Sequence, residues 1–340
     1  MRIKLENIGM LESADVKIDG LTVIAGENDT GKSTLGKALF AIVKSDNIGR
    51  KTSFKPPKEI LATRLNLVFD GNISLDGSIE LLDGQPKEIA YAHIVNKNFV
   101  KEFRQGRNDK NRQFFDATFV QSPIVFDLMD FFDSVNRLKD RQKMEFGLEF
   151  NISYPYIFWD LYDKISSKNP FPHAKNWLKI SNAIQEVLGG EFKKEGQKFS
   201  FNKYFTGKAL HIEIANTAFG IKSFGILQML NNNGYLHEKY VLILDEPEVH
   251  LHPAWQLEYA KTIISLVEHG IFVIVNSHSP YMVQALKYYG DKIEKVKKIS
   301  NFYLAEKVEN KINSNIKDVT KDLNLIFKAL AQPLQDIVWA

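Results

Sequence analysis

Three short runs of this chain are apolar almost without interruption, and they set its frame. Residues 21–25 (LTVIA), 240–244 (YVLIL) and 271–275 (IFVIV) each read as a buried strand of the kind found in the middle of a parallel sheet. After the first run, Leu35, Leu39 and Phe40 return at helical spacing, which predicts a helix to about Lys44, ahead of the polar stretch 45–49. Residues 1–19 alternate instead (Ile3 and Leu5, then Ala14, Val16 and Ile18) around a turn near Gly9, so two strands are expected there. Residues 50–64 are basic and broken by Pro56-Pro57. Residues 66–82 alternate like a β-meander, with turn signals at Asp70-Gly71 and Asp76-Gly77-Ser78, and 89–95 is another apolar run. A short strand ending in Gln121 is expected within 116–123.

From Ile124 the pattern changes. Apolar residues are dense at Ile124, Phe126, Leu128, Met129, Phe131 and Phe132, and Trp177, Ile180, Ile184 and Leu188 keep helical spacing. A helical lobe is expected over 124–190, interrupted around 169–172, with Tyr154, Tyr156, Phe158 and Trp159 as core rather than a ligand box. A hairpin around Glu195-Gly196, a strand over 209–214 and a helix over 253–268 follow. The pattern is that of an α/β protein with a mixed sheet and an antiparallel β part. Its expected head comprises 1–123 and 200–340, and a helical lobe with a β-hairpin is inserted at 124–199.

Composition narrows the class. With 340 residues, 44% hydrophobic and 25% charged, the chain suits a soluble protein of two lobes. No apolar run is long enough for a membrane helix, and the N-terminus lacks the apolar core of a signal peptide. There is no cysteine, so disulfides and thiolate metal sites are excluded and a cytoplasmic location is expected. A net charge of +3 is too slight to imply nucleic acid. One local stretch, 97–112, sets Lys97, Lys101, Arg104, Arg107, Lys110 and Arg112 against Glu102 and Asp109. It reads as a solvated loop or helix face, with contact to a phosphate backbone as the alternative.

The chemistry gathers around the three apolar runs. The first ends in GENDTGKS (Gly26, Glu27, Asn28, Asp29, Thr30, Gly31, Lys32, Ser33), followed by Thr34, which fits the P-loop pattern G-x-x-x-x-G-K-[ST] at every fixed position. Glycines let the backbone wrap an anion, and amide N–H groups and a helix N-terminus supply the positive end. Lys32 can reach outer phosphates, and the Ser33 hydroxyl is placed for Mg²⁺. The second run ends in Asp245-Glu246-Pro247-Glu248, at the strand end where α/β sheets bind ligands. Asp245 is expected to hold Mg²⁺ and Glu246 to orient or deprotonate a water. The third ends in Asn276-Ser277-His278, with His278 able to touch a terminal phosphate. Ser223-Phe224-Gly225 is expected to open a helix over 226–230 and form a second anion site, closing over ATP held by another copy.

These motifs resemble those of the ABC-type P-loop ATPases, in the branch shared by SMC, RecF and OLD-like proteins. GENDTGKS corresponds to Walker A, KSFG to the signature, YVLILDEPE to Walker B, EVHLHP to the stretch that follows it in this branch, and NSHSP to the switch histidine. Gln121 resembles the Q-loop glutamine and thereby becomes a third Mg²⁺ ligand. The resemblance implies ATP and Mg²⁺ as ligands, slow hydrolysis and a head-to-tail homodimer. Short stand-alone ATPases of this kind are often encoded in bacterial defence or toxin–antitoxin operons, which implies a separate effector protein. The competing reading is a RecF-like ATPase that binds DNA directly through 97–112; a transporter motor is disfavoured by SFG in place of LSGGQ. Neither the long coiled coil of SMC proteins nor a C-terminal Toprim nuclease is evident. His250 and His252 have no further ligands nearby in sequence and read as structural or dimer-contact residues.

Overall fold

A computed structural model describes residues 1–51, 56–69, 76–82, 88–95, 99–105, 114–146, 155–169, 174–196 and 198–338. The chain forms two compact units: Met1–Phe119 with Glu238–Val249 and Pro253–Ala340, and Val120–His237 with His250–His252.

Among the described residues, the first unit is built on an eleven-stranded mixed sheet. Its parallel centre contains β3 (Leu21–Gly26), β12 (Phe272–Ser277) and β11 (Tyr240–Asp245), with β13 (Ser300–Lys307) on the other side of β3. β3 and β11 are buried at every position, which explains their unbroken apolar composition. β14 (Ser314–Asp318) turns back antiparallel and pairs with the wing of β2 (Leu11–Lys17), β1 (Arg2–Ile8), β4 (Asp76–Leu82), β5 (Glu88–Val95) and β6 (Phe99–Gln105). β7 (Asp116–Val120) ends the row beside β11. The helices of this unit are α1 (Lys32–Lys51), α2 (Pro57–Phe69), α7 (Pro253–Glu268), α8 (Pro280–Asp291), α9 (Glu294–Lys298) and α10 (Asn324–Val338).

Register places the chemistry. Asp245 stands level with Asn276, and Ser277 with Ala25, so the ends of β11, β12 and β3 coincide at one edge of the parallel centre. Helix α1 is held against β7 by a buried Lys44–Asp116 ion pair of 2.8 Å and by Phe40 meeting Phe119 edge to face at 6.1 Å. It runs past Lys44 to Lys51, with the Ser45 hydroxyl donating to the Ala41 carbonyl at 2.7 Å inside the helix.

Two expectations change in the wing. Residues 57–69 form α2, where a basic break and the start of a meander were expected. Pro57 takes the first helical position, which suits its missing N–H, and Ile60, Leu61, Leu65 and Val68 form the buried stripe. Asp76-Gly77-Ser78, expected as a turn, lies inside β4, where Ser78 pairs with both Glu6 and His93. Asp70-Gly71 lies outside the described residues. The described part of the basic stretch, 99–105, is an edge strand rather than a loop or helix. Arg104 there lies over the Tyr91 ring at 4.2 Å and pairs with Glu102 at 2.8 Å, charges that suit an open strand edge.

The second unit begins with a 3-10 turn (Pro123–Phe126) and continues through α3 (Met129–Phe146), α4 (Tyr156–Ser166) and α5 (Trp177–Leu188). An antiparallel sheet follows, of β8 (Gly190–Glu195), β9 (Lys198–Phe205) and β10 (Lys208–Glu213), and then α6 (Phe219–Asn232). Its cores are aromatic: Phe126 meets Phe192 and Phe199, and Phe132 meets Trp159 and Tyr162. Tyr156, Phe158 and Trp159 are half-buried, while Tyr154 lies outside the described residues.

Candidate active site

β3 delivers Gly26, and the loop that follows turns straight into the N-terminus of α1. A Cβ on Gly26 would lie 2.3 Å from the Ala305 carbonyl oxygen, and one on Gly31, at φ +79°, 2.7 Å from Leu11 Cδ2. Neither position tolerates a side chain without displacing backbone or core. Asp29 adopts a left-handed φ of 61°, and the Thr30 hydroxyl closes the loop on the Glu27 carbonyl at 2.8 Å. The result is a tight turn with a long helix behind it, a geometry suited to anions.

Lys32 is buried, and its Nζ donates to the carbonyls of Gly26 at 2.9 Å and Glu27 at 2.5 Å. Burial holds its ammonium pKa below the ordinary lysine value, against the opposing pull of Glu246 and Asp245. The Ser33 hydroxyl donates to Asp245 Oδ1 at 2.9 Å, and Asn276 Nδ2 donates to the same oxygen at 2.7 Å. Burial raises the Asp245 carboxyl pKa, although these two hydrogen bonds pull it down. A hydroxyl and a carboxylate side by side are hard oxygen donors that fit Mg²⁺, which commonly takes one or two protein ligands and completes its shell with phosphate and water. Among the described residues there is no cluster of three or more His, Cys, Asp or Glu that could hold a metal on its own.

Glu246 follows Asp245 with a left-handed φ of 50°, and its N–H donates to the Asn276 carbonyl at 2.9 Å. A non-glycine residue in this region is uncommon and tends to mark sites where position outweighs comfort. His278 Nδ1 lies 3.3 Å from Glu246 Oε1 and 3.5 Å from Glu248 Oε1. Glu248 is the residue that sequence reasoning passed over. It is buried, and its Oε1 accepts hydrogen bonds from Ser277 Oγ and the His278 N–H, both at 2.8 Å, and from the Ser279 N–H at 3.2 Å. The signal that could have found it is the second acid of Asp245-Glu246-Pro247-Glu248.

Lys32, Ser33, Asp245, Glu246 and His278 therefore assemble within the first unit. Gln121 and Ser223-Phe224-Gly225 belong to the second. Gln121 is exposed directly after β7. The expected anion site at 223–225 does not stand at a helix end. Helix α6 begins at Phe219, so Ser223 is in its interior, buried, with its hydroxyl donating to the Phe219 carbonyl at 3.1 Å. Gly225 is packed against the Phe192 ring, 2.5 Å from where a Cβ would stand. The residues at the helix end are the exposed Ala218 and Phe219, with Gly220 behind them; Thr217 and Ala218 are extended, and the helix takes its first turn after them. His250 tilts its ring against Phe219 at 5.0 Å.

Asp245→Asn offers a test of this arrangement. The amide keeps an oxygen for Ser33 and Asn276 but removes a charge whose burial is unfavourable. A raised carboxyl pKa means that stability is lost as pH rises through it, so at neutral pH the Asn variant should melt a few degrees higher than wild type. The advantage should vanish in acid, below about pH 4, where both side chains are neutral. Mg²⁺-dependent ATP turnover should be lost. Melting curves against pH, taken without Mg²⁺, check the first part; a variant less stable than wild type at neutral pH would contradict it.

Residues 160–283 match the family model described as an AAA ATPase domain. Among solved structures, the SmcHead bound to the C-winged helix domain of ScpA is similar at 12% identity and a TM-score of 0.51, covering 95% of this chain and 98% of that one. An Smc head with an extended coiled coil, bound to the C-terminal domain of ScpA derived from Pyrococcus furiosus, has 12% identity, a TM-score of 0.49 and coverages of 99% and 98%. The SMC head domain from Thermotoga maritima has 13% identity, a TM-score of 0.46 and coverages of 94% and 98%. At such identities the likeness is one of fold, and only the first carries weight. No curated protein matches the sequence. The match over residues 160–283 likens that part of the chain to an AAA ATPase domain, and the fold resembles that of an SMC head.

Proposed function

We propose that this chain is a Mg²⁺-dependent ATP-hydrolysing switch. In this reading ATP joins two copies head to tail, and the change governs a separate effector protein in a bacterial defence or toxin–antitoxin setting. The observation that supports it best is the shared strand-end register, which brings the Ser33–Asp245 pair, Glu246 and His278 to the mouth of the loop holding Lys32.

Each residue has a role in that chemistry. The loop from Gly26 to Ser33 and Thr34 wraps the phosphates. Lys32 leaves the Gly26 and Glu27 carbonyls for phosphate oxygens, which also favour its charged form. Ser33 and Asp245 hold Mg²⁺, which when bound neutralises charge on the outer phosphates. Glu246, about one-third exposed, orients the attacking water and accepts its proton. His278 steadies the terminal phosphate.

The partner surface in this reading lies on the second unit. Phe131, Leu138, Leu178, Phe205 and Leu210 are large apolar residues left exposed there. Closure between copies uses the exposed end of α6 at Ala218 to Gly220 in place of Ser223. No described helix is long and apolar enough to cross a membrane.

Sedimentation of the purified chain tests the switch. With Mg²⁺ and a slowly hydrolysed ATP analogue its mass should double, with ADP it should not, and Phe219→Glu should keep ATP binding while losing the doubling. A wild-type chain that stays monomeric in both nucleotides, although it hydrolyses ATP, would remove the dimer from the proposal.

A further inference from the structure

β12 ends at Ser277, and the turn that follows must present His278 to the site. The N–H groups of His278 and Ser279 no longer have a strand to bond, and a buried N–H without an acceptor is costly. A single atom serves both. Glu248 Oε1 accepts from His278 N at 2.8 Å, Ser279 N at 3.2 Å and Ser277 Oγ at 2.8 Å. The same oxygen lies 3.5 Å from the His278 ring Nδ1, which also faces Glu246 Oε1 at 3.3 Å. The far side of the turn is secured separately: Ser279 Oγ caps α8 through Met282 N at 3.3 Å and donates to Gln256 of α7 at 2.7 Å. The Glu248 side chain is 3% exposed, against 32% for Glu246, so Glu248 has no access to a water that attacks phosphate.

We propose that Glu248 is the positioning residue for His278: it ties the turn 277–279 to the strand end that carries Asp245 and Glu246, so that histidine and base keep one geometry. The two acids of the Asp-Glu-Pro-Glu stretch thus divide the work. Glu246 faces the reaction, and Glu248 acts through the histidine. This inference rests on the ATPase reading above, and its test has a readout independent of turnover.

The test compares Glu248→Gln and Glu248→Ala in the full chain. Gln keeps an oxygen that can accept all three hydrogen bonds; Ala keeps none. Amide hydrogen exchange at His278 and Ser279, measured without nucleotide, should quicken by about tenfold or more in the Ala variant and little in the Gln variant, since a protecting hydrogen bond to a charged group is lost. In steady-state hydrolysis, Ala should lower kcat by about tenfold or more with KM for ATP within about threefold, and Gln should stay within about threefold of wild type in both. Adding His278→Ala to Glu248→Ala should cost less than about twofold, because the two act as one unit. Unchanged exchange in the Ala variant overturns the proposal. So does a full, additive loss from His278→Ala, or a Gln variant as impaired as Ala. If wild type itself shows no hydrolysis, the ATPase reading fails, and exchange still decides whether Glu248 holds the turn. Should Glu248→Ala not fold, Glu248→Asp withdraws the carboxylate by one methylene; it should show the same pattern at smaller amplitude, and wild-type exchange and kcat there would count against the proposal.

Discussion

Lys32→Ala should weaken ATP binding by about 10- to 100-fold, the equivalent of losing a charge-assisted contact of roughly 1.5–3 kcal/mol. Lys32 is the cation enclosed by this loop, and its Nζ now rests on the carbonyls of Gly26 and Glu27. Binding exchanges those neutral acceptors for phosphate, which is where the gain arises. The fold should not suffer in proportion. Burial lowers the Lys32 pKa, so its charged form is already disfavoured in the folded chain, and the variant should melt no lower than wild type at neutral pH. The same direction predicts a pH effect. Bound phosphates stabilise the charged lysine, so the complex holds its proton more tightly than the free protein does. Wild-type ATP affinity should then fall as pH rises, starting below the ordinary lysine range, while the Ala variant lacks this alkaline limb. Titration with a fluorescent ATP analogue at several pH values measures both. Equal affinities for wild type and variant would place the nucleotide elsewhere.

Glu246→Gln should leave ATP bound and slow its hydrolysis by about 10²- to 10⁴-fold, the range for loss of a general base. The substitution is nearly isosteric, and the strained backbone at Glu246 is held by its own N–H to the Asn276 carbonyl, which the change does not touch. Geometry should therefore persist while the proton acceptor is lost. If ATP also joins two copies, this variant should accumulate the dimer, because closure no longer ends in hydrolysis. Single-turnover hydrolysis and sizing in ATP read the two effects separately. A Gln variant that hydrolyses ATP at the wild-type rate would exclude Glu246 as the base, whatever its oligomeric state.

The contrast between the two carboxylates shows where local pattern stops being informative. Both stand in one tetrapeptide with Asp245, and nothing in their spacing separates a partly exposed acid from a buried one. Their difference comes from the turn at Ser277 to Ser279, supplied by a strand about thirty residues later. The same holds for Ser223. A serine and glycine ahead of an apolar run look like a helix start, yet the helix had already begun at Phe219, and Gly225 lies buried inside it against Phe192. Residues 57–69 were missed for a related reason: Ile60, Leu61, Leu65 and Val68 keep helical spacing, but the stripe straddles the basic, proline-broken stretch and the start of the expected meander.

Short-range geometry could be read from the chain alone. A glycine loop between a buried strand and a helix is specified by neighbouring residues, since only Gly26 and Gly31 permit that backbone, and the continuous apolar runs need no distant partner to be identified as central strands. Which strand lies beside which required the folded sheet. Placing β12 between β3 and β11 sets Asn276 level with Asp245, brings Ser33 to 2.9 Å from that carboxylate and lets Glu248 hold the His278 turn. Those contacts join residues as far as 212 positions apart, and the order of the strands in the sheet, which no local periodicity encodes, is what sets them.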